Sequence, residues 1–246
     1  MLSVELLGGL AIALAGMPIA GLVVTRYRAS PPDTRRDLLA SDAVKWLLLA
    51  VLCGYVVFVE GRPLSSMTGR SFDLGSFAII VVTGTIVLFT ASAVTTPLFN
   101  RFGVGGLEGE MSQLTSLSRR QRIFVAVTAG VTEEALFHGY AIERLLELTG
   151  SPLLAGGISF VAFTLGHAVG WNRGAVARIA VPALLTTVLY LIVRDVVALM
   201  AIHSLNNAAS LLLAGALATD SPGAGGVADA TKSADGTASQ NDESSQ

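Results

Sequence analysis

Apolar runs long enough to cross a bilayer recur from residue 3 to about residue 218, separated by short polar stretches. A helix needs about 20 predominantly apolar residues to span the hydrocarbon layer, where its backbone must satisfy its own hydrogen bonds. The chain therefore reads as an all-α, polytopic transmembrane helix bundle. Only 14% of its 246 residues are charged and 52% are hydrophobic, whereas soluble domains carry roughly a quarter charged residues. A net charge of −2, without a long basic patch, excludes a nucleic-acid partner. Cys53, the lone cysteine, has no disulfide partner in the chain and no metal-binding spacing.

The pattern predicts about seven spans, at residues 3–25, 45–59, 75–98, 123–146, 151–169, 177–193 and 196–218. Alternative divisions at 99–122 and 170–196 give six to eight. Residues 1–218 form the bundle. Residues 219–246 have little apolar content and read as a disordered polar tail. The first run lacks a basic n-region and is followed by basic residues, so it reads as an uncleaved helix. Residues 26–43 read as a charged, proline-broken loop, with Lys45 snorkelling at the start of the second span. Met111, Leu114 and Leu117 recur at helical spacing and suggest a short interfacial helix. Ser151-Pro152 opens the fifth span, and Trp171 sits where an interfacial aromatic belongs.

With the N-terminus outside, most arginines fall in the inner loops, which places the C-terminus in the cytoplasm and the protein in the cell membrane. Arginine outnumbers lysine and the tail is rich in Asp, Ala, Gly and Ser, a composition typical of salt-loving, GC-rich, archaeal-like organisms.

Against this background, the residues between Thr128 and Asn207 stand out. TAGVTEEALFHGY, SFVAFTLGHAVG and VVALMAIHSLNN carry all three histidines in otherwise apolar, helix-like sequence. Ionisable groups inside a membrane are costly unless they pair or line a wet cavity, which makes them a functional signal. Glu134 and His138 share one helix face, as do Phe163 with His167 and His203 with Asn207. Convergence of the three patches would enclose a polar cavity. Asn206 and Ser159 read equally well as interhelical glue, and Phe163 as packing.

Such a cavity suits attack by water. Ser159 and Ser204 have no base nearby in sequence, and Cys53 lies elsewhere. A buried glutamate can take the proton from water, an imidazole can orient it, and another imidazole with an amide can stabilise an oxyanion. Zinc held by glutamate and histidine is the competing scheme, although there is no HExxH and the ligands come singly from separate helices. Spacing leaves both open, and no cofactor is required by the first.

The sequence EEALFHG resembles the EExxxR motif of the CAAX prenyl endopeptidase and bacteriocin-processing family of intramembrane glutamic proteases. FTLGH and HSLNN follow in the places of its FxxxH and HxxxN. The likeness covers about residues 120–215 and implies an intramembrane endopeptidase of the type II CAAX class. By this resemblance Glu133 is the general base, His167 helps to activate the water, His203 and Asn207 form the oxyanion pocket, and Glu134 is a supporting acid. The implied partners are membrane lipid and a peptide or protein substrate that is lipidated in CAAX processing. The chain departs from the motif at His138, which stands where the family has arginine. This departure motivates a second hypothesis, a non-catalytic immunity or binding protein of the same family. A small proton-coupled transporter, using the buried carboxylates as a relay, is the third.

Overall fold

The computed structural model describes residues 4–26, 34–105, 108–168 and 172–219, and its regular elements are all helical. The tail beyond residue 219 and the interfacial position of Trp171 lie outside the described residues. Helix α1 spans Val4–Arg26 and α2 spans Thr34–Phe58. A 3-10 turn at Leu64–Met67 leads to α3, Leu74–Arg101, and then to the short α4, Glu108–Thr115. α5, Arg119–Glu133, continues without a break into a π-helical segment, Glu134–Ile142, and then α6, Glu143–Thr149. The chain is completed by α7, Pro152–His167, α8, Arg173–Val193, and α9, Val196–Thr219.

Local sequence explains where the helices begin. The Ser118 side chain accepts from the Gln121 N–H while the Gln121 side chain accepts from the Ser118 N–H, a capping box that starts α5. Ser151 caps α7 with Pro152 in the first turn, and Asn172 Oδ1 accepts from Ala175 N to cap α8. The buried Asp195 receives the amides of Val197 and Ala198 at 2.9 and 3.1 Å, so the first turn of α9 is satisfied away from water.

Five helical segments are long and apolar enough to cross a membrane: Val4–Val23, Arg36–Phe58, Leu74–Arg101, Arg173–Val193 and Val196–Ala216. These five, counted among the described residues on length and composition, do not confirm the expected count of about seven. α7 is apolar but shorter, at 16 residues. The other expected span is α5 with its continuation, whose polar side chains interrupt the apolar pattern. This element is the centre of the bundle, buried almost continuously from Thr128 to Ile142. Enclosed by other helices, it has no need of a lipid-compatible surface. Large apolar side chains such as Ile79, Val82, Leu153, Leu165 and Ile192 are exposed on the surrounding helices, as a lipid-facing surface requires.

α2 differs most from expectation. It begins at Thr34, eleven residues before Lys45, so residues 34–43 are helix rather than loop and the helix is long enough to span. Lys45 lies within it and does not snorkel to an end.

α5 packs chiefly against α9. A Cβ on Gly130 would lie 2.7 Å from the Ser204 backbone N and 3.0 Å from the Met200 carbonyl O, so only glycine permits this approach. The end of the bundle holding α6 is closed by ions. Arg144, 1% exposed, donates to Glu60 Oε2 at 2.7 and 3.1 Å and to Ser66, while the Tyr140 hydroxyl donates to the other Glu60 oxygen. Beside it Glu143 accepts from Tyr190 and Arg194. Backbone bonds between Thr68–Arg70 and Arg194–Val196 tie the 3-10 turn to the start of α9.

Candidate active site

The site lies where α5 gives way to its π-helical continuation. π-helical turns are rare and are found frequently at functional sites, because they re-aim side chains without ending the helix. Here the change falls between Glu133 and Glu134. The two adjacent carboxylates point to different neighbours, as successive helix positions do.

Glu134, 1% exposed, turns towards α9 and its own next turn. Its Oε1 lies 2.7 Å from His203 Nδ1 and its Oε2 lies 2.5 Å from His138 Nδ1. On its far side, His138 Nε2 is 3.1 Å from the Thr187 hydroxyl of α8. That hydroxyl donates its single proton to the Ala183 carbonyl at 2.8 Å. Nε2 is thereby left to donate to Thr187, which puts a ring proton on Nε2, while Nδ1 makes a close contact with the Glu134 carboxylate. His138, at the position where the resembled motif has arginine, thus lies against a carboxylate over a shorter reach.

Glu133 turns towards α2. Its Oε1 accepts from Lys45 Nζ at 2.8 Å, and its carboxylate lies within electrostatic reach of His167 and His203. His167 Nδ1 donates to the Phe163 carbonyl at 2.9 Å, which puts a ring proton on Nδ1. The ring also lies against Phe163, with centroids 4.6 Å apart. Asn207 is half-buried, one turn beyond His203 on α9.

The structure therefore brings Glu133, Glu134, His138, His167 and His203 to one region of the bundle. Asn207 is placed on the same helix as His203, without a side-chain hydrogen bond among the described residues. Ser159 serves as glue, donating to the Phe137 carbonyl at 2.6 Å, and Phe163 packs edge-on against Phe137. The sequence reading missed Lys45, with buried Asp42 one turn before it. Their signal was a lysine and an aspartate bordering an apolar run that was too short to span unless the helix began earlier. Among the described residues no three His, Cys, Asp or Glu side chains are grouped as a metal ion would need.

An all-helical membrane protein with a paired glutamate–histidine centre is the class that fold and site define. Residues 117–209 match the family model described as Rce1-like, type II CAAX prenyl endopeptidase. The matched segment contains α5 to most of α9 and leaves Lys45 and Asp42 outside it. Neither a curated protein nor a solved structure matches the chain.

Proposed function

We propose that the protein is an intramembrane endopeptidase that hydrolyses a peptide bond with water activated by Glu133 and His167. The observation that carries this reading is the Glu133 carboxylate, buried in the centre of the bundle within reach of two imidazoles. It is supported by the family match over those residues.

In this mechanism Lys45 holds Glu133 Oε1, and Oε2 receives a proton from water as the water oxygen bonds to the scissile carbonyl carbon. The His167 ring orients that water. The carbonyl electron pair moves onto oxygen, where His203 and Asn207 donate to it. With Nδ1–H committed to Glu134, an imidazolium His203 offers Nε2–H to the oxyanion. When the intermediate collapses, the C–N bond breaks and the proton on Glu133 passes to the leaving nitrogen. An acid and an amine leave, and Glu133 is again a carboxylate. Glu134 supports the site by fixing the His203 ring, and His138 holds Glu134 in turn.

The substrate is a peptide or protein reaching the site from the membrane, with CAAX-type C-terminal processing of a lipidated chain as its specific form. The N-terminus is placed outside and the C-terminus in the cytoplasm of a cell-membrane protein. His138 favours catalysis over the immunity or binding reading, because its bridge to Glu134 keeps the charge pairing that the motif arginine would supply.

The test is cleavage of an internally quenched peptide bearing a farnesylated cysteine three residues from its end. Glu133→Gln and His167→Ala should each abolish turnover in monodisperse, membrane-inserted protein, and a chelator should leave the unsubstituted enzyme unaffected. Turnover retained by Glu133→Gln overturns the assignment of the base.

A further inference from the structure

Among the described residues of the segment matched by the family model, no cation hydrogen-bonds Glu133 Oε1. The one that does comes from α2, 88 residues earlier in the chain. We infer that Lys45 is a positioning residue for the reaction, holding Glu133 as a charged carboxylate with Oε2 turned to the water. The inference rests on Glu133 being the base and adds a residue that the motifs do not carry.

The geometry of α2 supports it. The Lys45 side chain is 20% exposed and that of Glu133 is 5% exposed, so the 2.8 Å pair is largely withdrawn from solvent. A carboxylate without a partner at such a depth takes up a proton and can no longer accept one from water. Lys45 engages only Oε1, and no hydrogen bond occupies Oε2 among the described residues. At the residue next to the lysine, Trp46 Nε1 donates to Thr128 Oγ1 at 3.1 Å and fixes α2 against α5. The approach of Lys45 is thus set by the packing of two helices.

Asp42 explains how the ammonium remains compensated through turnover. It lies one turn before Lys45 and is 4% exposed, with Oδ2 buried and without a hydrogen-bond partner. When Glu133 takes the water's proton it becomes neutral, and Asp42 is then the carboxylate left within electrostatic reach of Lys45. The cation accordingly has a carboxylate within electrostatic reach both before and after proton transfer. A purely structural ion pair would have no need of a second acid.

Infrared spectroscopy of the full chain in lipid nanodiscs, at neutral pH, reads the Glu133 carboxyl without any substrate. Difference spectra against Glu133→Gln should show an ionised carboxylate in the unsubstituted protein. A protonated-carboxyl C=O band should appear in Lys45→Met and be missing from Lys45→Met/Glu133→Gln. Lys45→Gln, which keeps a hydrogen-bond donor but not the charge, should behave like Lys45→Met and provides a second variant if the first does not fold. With the farnesylated peptide, kcat should fall about a hundredfold at little-changed KM, the scale of general-base catalysis. Lys45→Arg or added ethylammonium should restore it. An ionised Glu133 in both neutral variants overturns the inference, as does a loss of turnover that neither arginine nor ethylammonium recovers. If the unsubstituted protein leaves the peptide uncut while the carboxyl band responds as expected, the protease reading fails and the hold of Lys45 on Glu133 stands.

Discussion

Truncating His138 to alanine removes one of the two imidazoles that hold Glu134, and the size of the loss distinguishes two kinds of interaction. Hydrogen bonds between neutral groups of membrane helices couple by about 0.6 kcal/mol on average and reach about 1.7 kcal/mol. Breaking a buried ion pair by removing one partner costs about 3–5 kcal/mol, because a charge is left behind. Glu134 and His138 are 1% and 2% exposed, their atoms are 2.5 Å apart, and the Thr187 hydroxyl spends its proton on Ala183. The contact has the distance and burial of an ion pair, so His138→Ala should lose about 3 kcal/mol or more. The assay is reversible unfolding in mixed micelles for His138→Ala, Glu134→Gln and the double variant. With no carboxylate left to orphan, the double variant should be less destabilised than the sum of the singles by about 3 kcal/mol. A coupling below about 1 kcal/mol would refute the argument, because His138 would then be a neutral hydrogen-bond partner.

Two further outcomes follow from local geometry. Gly130→Ala should destabilise the protein by about 1–3 kcal/mol, because its Cβ meets the α9 backbone. Gly157→Ala on α7, where nothing lies within 4 Å, should be neutral or stabilising, and equal effects on the unfolding midpoint would remove the close-packing argument. At the start of α3, hydrogen bonds from the Ser76 side chain and the Ser76 and Gly75 amides hold the Asp73 carboxyl below the usual carboxylate range. Its capping contribution is then present above the ordinary carboxylate value and lost as pH falls through the lower folded one. Hydrogen exchange at Gly75 and Ser76 should accelerate on that acid side relative to the pH trend of Asp73→Asn, and parallel profiles would count against the cap.

Much of the bundle was legible because lipid imposes one rule on every span. Apolar runs read out α1, α3, α8 and α9, and Ser151-Pro152 read out the start of α7. The rule fails for helices that do not face lipid. The central helix carries arginines and glutamates because α1, α2, α7 and α9 enclose its polar faces. α2 misled for the opposite reason: its first ten residues look like a loop until the partner of Lys45 is known to lie inside. Within the site, four-residue spacing put Glu134 and His138 on one face, and the structure pairs them. The partners of Glu133 come from remote helices, a relation that no local spacing encodes.

Adjacent acids in the middle of a bundle pose a problem of repulsion, and the chain solves it by direction. Glu133 is addressed to Lys45 on α2, whereas Glu134 is addressed to His203 on α9 and His138 on its own helix. Each carboxylate is thereby compensated by a different set, and the two can have different duties. Glu134 has an imidazole on each oxygen, which leaves it poorly placed to accept a proton from water and well placed to fix rings. Glu133 has one oxygen engaged by Lys45, and no hydrogen bond occupies the other among the described residues. If the roles were reversed, the base would have to break a 2.5 or 2.7 Å contact before each turnover, a cost that Glu133 does not bear. The division of labour proposed for the two glutamates therefore follows from how many partners each already has.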